Sequence, residues 1–235
     1  MTTKAEAVRA MFTRIARRYD LMNSLMTAGL HHAWRAAVAR AAAAAPEGPV
    51  LDLATGTADL ALALRAAAPG RLVVGADFSL GMLREARAKL AARRARRVPL
   101  LAADALALPF RDGAFACVMS AFLLRNLEDL ERGLAEMRRV TRPGGRVITL
   151  DIVRPAAPVW GALVGLYFRR VVPAIGALVA GDRHAYTYLP QSVARFVTPA
   201  ELGTLMERVG LRDVRRRSLG LGTIALHIGV VPERA

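Results

Sequence analysis

The chain has 235 residues, a single cysteine and 54% hydrophobic residues. That excludes a disulfide scaffold, a cysteine-built zinc site and a globally disordered chain, and the length suits one sizeable α/β domain or two small ones. The formal net charge of +15 is nearly all arginine, since Lys4 and Lys89 are the only lysines; so basic a surface attracts anionic lipid or nucleic acid.

Val8, Met11, Phe12, Ile15 and Tyr19 recur at helical spacing, which predicts a helix over about 4–18 with one apolar face, suited to packing or to a lid. Its polar, charged start carries no signal-peptide pattern, and the lone cysteine suits a reducing compartment. Asp20 and Thr27 read as helix caps. A helix from about Ala33 to Ala45 follows, and Pro46 to Pro49 is a linker. Strands are then predicted near 50–54, 72–76, 98–103, 115–120 and 146–151, alternating with helices near 59–68, 80–96 and 129–140. Residues 141–145 read as a turn before the fifth strand. Such alternation predicts a parallel, doubly wound sheet that binds ligands beyond the carboxyl ends of its strands. Cys117 falls in an apolar strand and reads as core. The run Arg93 to Arg97 closes a helix, where cations suit the dipole. From Pro155 to Gly181 two apolar stretches, divided by Arg169, Arg170 and Pro173, are each too short to cross a membrane; an insertion over the active site is expected. A helix near 199–209 and strands near 213–218 and 223–230 close the chain, with Arg215, Arg216 and Arg217 on an edge.

The chain is organised around Val50-Leu51-Asp52-Leu53-Ala54-Thr55-Gly56-Thr57-Ala58-Asp59-Leu60. An apolar strand runs through a turn of small residues into a helix start, whose unpaired N–H groups and positive dipole end suit a polar cofactor. Only Gly56 is present where a dinucleotide fingerprint has three glycines. Two further strands end in Asp77 and Asp104, so three carboxylates with Asp52 are expected along one sheet edge. Such acids also cap turns, but the three together favour a nucleoside site.

This arrangement resembles the class I S-adenosylmethionine-dependent methyltransferases, Rossmann-like domains in which the second acid holds the ribose hydroxyls and the third the adenine amine. Three blocks are similar to the ubiquinone/menaquinone biosynthesis C-methyltransferases in particular: Tyr19-Asp20-Leu21-Met22-Asn23 with His31 and Trp34; Leu51 to Thr57 with Ala76-Asp77-Phe78-Ser79; and Ala107-Leu108-Pro109-Phe110 with Leu124-Arg125-Asn126 and Arg139 to Gly145. Echoes follow at Tyr186 to Leu189, Ser192 and Ala225-Leu226-His227. Ala58 departs from a usual glycine, Asp151 and Val153 from a commoner glutamate and serine, and Thr27 from a frequent serine.

The resemblance implies a single methyltransferase domain: a helical cap over 1–46, a cofactor-binding core over 47–154, a substrate-side insertion over 155–198 and a closing helix and strands over 199–235, the last strand antiparallel. It implies S-adenosyl-L-methionine held by Gly56, Thr57, Asp77, Asp104 and Ala105. The substrate is a prenylated quinol, met by Tyr19, Asn23, Asn126 and Tyr186, and no metal is needed. Methyl goes to a ring carbon that becomes nucleophilic when a neighbouring hydroxyl, of pKa about 10, loses its proton. Arg125 is expected to favour the phenolate by charge, not as a direct base; His31 and His227 are the candidate proton acceptors. The short N-terminal segment favours menaquinone over ubiquinone. The other expected partners are a transient anionic membrane surface and a second copy of the chain, with a cytoplasmic location peripheral to the inner face of the plasma membrane. Nucleic-acid methylation is the competing enzyme class. It lacks the D/N/S-P-P-aromatic block that adenine chemistry needs after the fourth strand, and Cys117 is not on the loop that cytosine chemistry needs. A non-catalytic binding module on the same fold would show no cofactor turnover.

Overall fold

The computed structural model describes residues 4–95, 97–154, 170 and 183–233. The apolar insertion expected at 155–181 lies outside them apart from Arg170, as does the side chain of Tyr186. The elements in chain order are α1 (Lys4–Ile15), α2 (Tyr19–Thr27), α3 (Leu30–Ala43), β1 (Val50–Leu53), α4 (Asp59–Ala67), β2 (Val73–Asp77), α5 (Leu80–Ala92), β3 (Leu100–Ala102), β4 (Phe115–Ala121), α6 (Leu130–Val140), β5 (Thr141–Ile152), α7 (Arg183–Arg195), α8 (Pro199–Arg208), β6 (Arg212–Leu219) and β7 (Ile224–Val230). Seven strands form one sheet in the order β3-β2-β1-β4-β5-β7-β6. The first five run parallel, and β7 runs antiparallel to both β5 and β6. The doubly wound sheet with an antiparallel last strand is as the sequence predicts. The arginine-rich β6 is its edge.

The strand pleat explains the two apolar layers, because successive side chains face opposite sides. Val50, Val73, Cys117, Met119 and Ile148 meet Val38, Ala42, Leu60, Leu64 and Leu90 of α3, α4 and α5. Leu51, Leu53, Val118 and Val147 meet Leu134 and Met137 of α6 and Leu202 and Met206 of α8. Cys117 is wholly buried, and burial pushes its thiol up to about 12, the behaviour of a core residue. Side chains fix several helix starts: Ser79 accepts from Met82 N–H, Asp129 from Arg132 N–H, and Thr198 forms a reciprocal capping box with Glu201, each worth about 1 kcal/mol.

Four local expectations are corrected. Asp20 caps no helix; its carboxylate accepts from Thr57 Oγ1 at 2.7 Å and pairs with Lys89 at 2.5 Å. Helix α5 stops at Ala92, so Arg93 and Arg94 lie past its end, where Arg94 takes a left-handed φ of 54°. Residues 141–145 belong to β5. Thr141 pairs with Phe115, and the register then jumps to Cys117 against Arg146, so the glycine pair makes a bulge instead of a free turn. Asp52 does not end its strand: it sits within β1, 1% exposed, beneath the turn. Thr55 Oγ1 donates to it at 2.6 Å, and burial raises its pKa to about 7.

Candidate active site

The β1–α4 turn bends through three left-handed residues, Ala54 (φ 57°), Gly56 (φ 56°) and Ala58 (φ 68°). A Cβ on Gly56 would meet nothing within 4 Å, so this backbone is open on its outer side. Gly56 N–H donates to Asp77 Oδ2 at 2.9 Å and Ser79 N–H to Asp77 Oδ1 at 2.8 Å. Burial raises the Asp77 carboxyl to about 6, against the pull of those amides. Asp77 therefore ends β2 as an oriented carboxylate at neutral pH, facing a cavity of about 80 Å³ with Gly56, Asp104 and Ala105.

Asp104 is exposed and accepts Leu106 N–H at 2.9 Å. Its loop is stapled to α6. Arg139 donates to the carbonyls of Leu108 and Phe110, and Glu136 accepts Leu108 N–H at 2.7 Å. The Ala107–Phe110 and Arg139 motifs, far apart in sequence, thus form one contact that sets the height of Asp104 and Ala105. Thr57 stands apart from that cavity. Its hydroxyl donates to Asp20 and accepts from Lys89 Nζ at 2.9 Å, and Lys89 also pairs with Asp59 at 2.6 Å. This knot ties α2 to the β1–α4 turn.

A second, larger cavity of about 520 Å³ opens beside the first. Its walls are apolar: Met11, Ile15, Met22, Met26, Trp34, Ile152, Leu189 and Ile224. Among the described residues, five that line it each hold a polar atom shielded from solvent and without a hydrogen-bond partner, namely Asn23 Nδ2, His31 Nε2, Arg125 Nε, Asn126 Oδ1 and Tyr188 Oη. Phe12, Tyr19, Phe122 and Asn126 line both cavities, which makes them the partition across which a group would pass.

Arg125 follows β4 on the short turn Leu124–Asn126. Of the nearby acids, Glu128 accepts Ala5 N–H and Asp129 caps α6, while Arg125 Nη1 pairs with the fully buried Asp151 at 2.6 Å. The same nitrogen donates to Phe122 O at 2.9 Å, and so does Asn126 Nδ2. Phe122 has a left-handed φ of 65°, a strained conformation for a bulky residue, and its carbonyl orients both neighbours. No sequence signal marks Phe122. Tyr188 was visible only as part of the Tyr186–Leu189 block.

The tautomer of His31 follows from its partners. Thr27 has one hydroxyl proton, which it donates to Asn23 O at 2.7 Å. The 2.8 Å contact between Thr27 Oγ1 and His31 Nδ1 must then be donated by the ring, leaving a lone pair on Nε2. Burial, then Arg35, lowers the pKa of His31 to about 4, so the ring is neutral. His227 is not brought to this site. It lies on the α8 side of β7, wholly buried, and bonds Pro199 O at 2.8 Å through Nε2. Burial lowers its pKa, and the ring fixes the start of α8. Among the described residues no group of three or more His, Cys, Asp or Glu is placed to hold a metal.

Strand order, an open glycine turn and an acid ending β2 define the fold of the class I S-adenosylmethionine-dependent methyltransferases. Such an enzyme from Thermotoga maritima superimposes with a TM-score of 0.62 at 21% identity, covering 94% of this chain and 98% of that one. The chain belongs to the ubiE/COQ5 methyltransferase family, which it matches over residues 1–231. It is 48% identical to a demethylmenaquinone methyltransferase of Thermus thermophilus, over 94% of this chain and 100% of that protein. It is 41% identical to a ubiquinone/menaquinone biosynthesis C-methyltransferase of Desulfotalea psychrophila, over 97% and 92%.

Proposed function

We propose that the protein uses S-adenosylmethionine to methylate a ring carbon of a prenylated hydroquinone, converting demethylmenaquinol to menaquinol. The observation that carries this reading is the meeting of two cavities at Phe12, Tyr19, Phe122 and Asn126. One is edged by a glycine turn and two carboxylates; the other is large and greasy with a few polar residues among its walls. The residues of the first fit the cofactor: Asp77 has the charge and position for a ribose diol, and Gly56 lets a ligand lie against the backbone. When bound, the cofactor supplies an electrophilic methyl on a sulfonium. The chain supplies the rest. Arg125, held by Asp151, stabilises the negative charge that grows on the quinol oxygen. His31 Nε2 accepts the hydroxyl proton, and the apolar walls exclude water and hold the ring for in-line attack.

The test is direct. Purified protein, S-adenosylmethionine and a chemically reduced demethylmenaquinol should give a product one methylene heavier by mass spectrometry. Absence of that product, with transfer instead to a ubiquinone-pathway benzoquinol, would move the assignment to the sister reaction that the Desulfotalea relative's name includes.

Two expected results arise here. Asp77→Asn weakens S-adenosylmethionine binding by roughly 1.5–3 kcal/mol, the range for a charged hydrogen bond, as read by calorimetry. Because Asp77 has a raised pKa of about 6, its proton must leave before a diol binds; affinity is therefore full above pH 7 and falls as pH drops through 6. A pH-independent affinity would remove Asp77 from the site.

The third concerns lipid. Leu25, Leu30 and Leu221 line the large cavity yet are 45%, 54% and 79% exposed, and Leu21 beside them is 53% exposed. With a net charge of +15, such a rim favours reversible contact with an anionic bilayer, from which a prenylated substrate would enter. No helix among the described residues is long and apolar enough to cross a membrane. Flotation with phosphatidylglycerol vesicles should recover the protein at low salt and lose it as salt rises; no recovery at low salt would refute this contact.

A further inference from the structure

The sheet ends in a long, arginine-rich edge strand, β6, and we propose that this edge docks an acidic, extended segment of a partner protein as an added strand. The inference is independent of the quinol reading, because none of the residues it uses lines either cavity of the candidate active site.

The two edges of the sheet differ. β3 spans three residues and follows Pro99, whereas β6 spans eight, of which Arg212, Arg215, Arg216 and Arg217 are exposed. β6 pairs with β7 on one side only, so alternate N–H and C=O groups on its outer side lack a strand to bond. Register fixes where its side chains go. Arg215 and Arg217 pair with Ile228 and Leu226 on the α3 face of the sheet, and Arg216 pairs with His227 on the α8 face. The three border, with Arg40 of α3, a groove of about 320 Å³ that also includes Leu226 and Ile228. No acidic residue lines it, and none of these four arginines has an ion pair among the described residues. The carboxylate on the strand, Asp213, lies at the bulge between Arg212 and Arg215. Cross-strand neighbours stand about 5 Å apart, so an added strand with acids at alternate positions sets them against Arg215 and Arg217. A second copy of β6 sets arginine against arginine; the same charge that keeps like edges apart selects an acidic strand. The groove is also set back from the apolar rim that meets lipid. Arg215 lies about 13 Å along β6 from Leu219, and Arg40 about 15 Å along α3 from Leu30. No aromatic ring lines the groove, so it offers nucleic acid no stacking platform.

The test follows the fluorescence anisotropy of a labelled peptide that alternates valine and glutamate, mixed with the full chain at low salt. The peptide should bind, and its affinity should fall as salt rises. Arg215→Glu combined with Arg217→Glu should weaken binding about tenfold or more while methyl transfer is unchanged. The same peptide with its backbone amides N-methylated keeps its charge and donates no backbone hydrogen bond, so it should bind about tenfold weaker. Amide exchange in β6 should slow when the unmodified peptide is added. No binding of that peptide at low salt overturns the proposal. Equal binding of the N-methylated peptide overturns it as well, since bare charge attraction needs no strand. Phosphatidylglycerol vesicles and a single-stranded oligonucleotide serve as competing probes: if the double variant loses either of them and still holds the peptide, the groove belongs to lipid or nucleic acid and the proposal fails. The N-methyl comparison uses the unaltered protein and decides even if the variant does not fold.

Discussion

Replacing Arg125 with alanine lowers turnover at neutral pH by about 10²–10³-fold, the usual cost of a group that stabilises a developing oxyanion, while S-adenosylmethionine affinity is nearly unchanged. Two consequences of the substitution have to be separated, because the same guanidinium lines the cavity and neutralises Asp151, which is wholly buried. Stranding that carboxylate costs roughly 3–5 kcal/mol of stability. A purely structural arginine would show that loss and nothing more. The catalytic part appears in the pH profile. Raising pH toward the phenol pKa of about 10 lets solvent prepare the phenolate, so the Arg125→Ala enzyme recovers part of its rate. Arg125→Lys keeps charge without the planar fork that binds Phe122 O and Asp151, and recovers only part of the loss. Pairing Arg125→Met with Asp151→Leu removes the stranded charge and restores folding, yet leaves turnover low. A folded Arg125→Ala enzyme with near-normal turnover at neutral pH would falsify the assignment.

His31→Phe, which retains the ring shape and loses the acceptor, lowers kcat by about 10²-fold or more, within the range for a positioned proton acceptor. Thr27→Val costs less, about tenfold, because it frees the tautomer without removing the nitrogen. The pH dependence distinguishes this histidine from an ordinary one. Burial and Arg35 depress its pKa to about 4, so Nε2 stays unprotonated from neutral pH down to about 5. With S-adenosylmethionine saturating, kcat/KM for the quinol should hold level across that range and fall only as pH approaches 4. An acid limb centred near 6.5 that persists in His31→Phe would assign the proton to another group. The depressed pKa also acts on stability. The unfolded chain binds the proton at about 6.5 and the folded chain at about 4. Stability from this group is therefore full above 6.5 and is lost as pH falls between the two values. The Thr27 and His31 variants should be compared by thermal melts on both sides of that window.

Much of this protein is local information. The β1 strand, the turn at Gly56 and the acids Asp77 and Asp104 were legible because a strand-turn-helix unit has period-two apolar residues, small turn residues and helix formers in one continuous stretch. The parallel, doubly wound sheet followed from alternation and its antiparallel end from the family resemblance, whereas the order of the strands came only from the structure. Arg125 and His31 could be singled out as chemistry-bearing residues, but their situation could not. That Arg125 pairs with Asp151 depends on β5 lying beside β4, a contact across 26 residues. That Asp20 meets Thr57 and Lys89 instead of capping α2 depends on three segments converging. His227 looked as promising as His31 in the sequence. His227 faces α8 because of the side of the sheet to which β7 turns it, whereas His31 lies on α3 beside the cavity. Phe122 and Tyr188 acquire meaning only where two cavities meet. The sequence by itself determined the alternating strands and helices and the small-residue turn at Gly56, since those rest on short-range periodicity and backbone preference. Tertiary structure alone decided which lone pair is free, which charge is neutralised and which residues share a cavity, because burial and hydrogen-bond partnership are made by packing between residues distant in the chain.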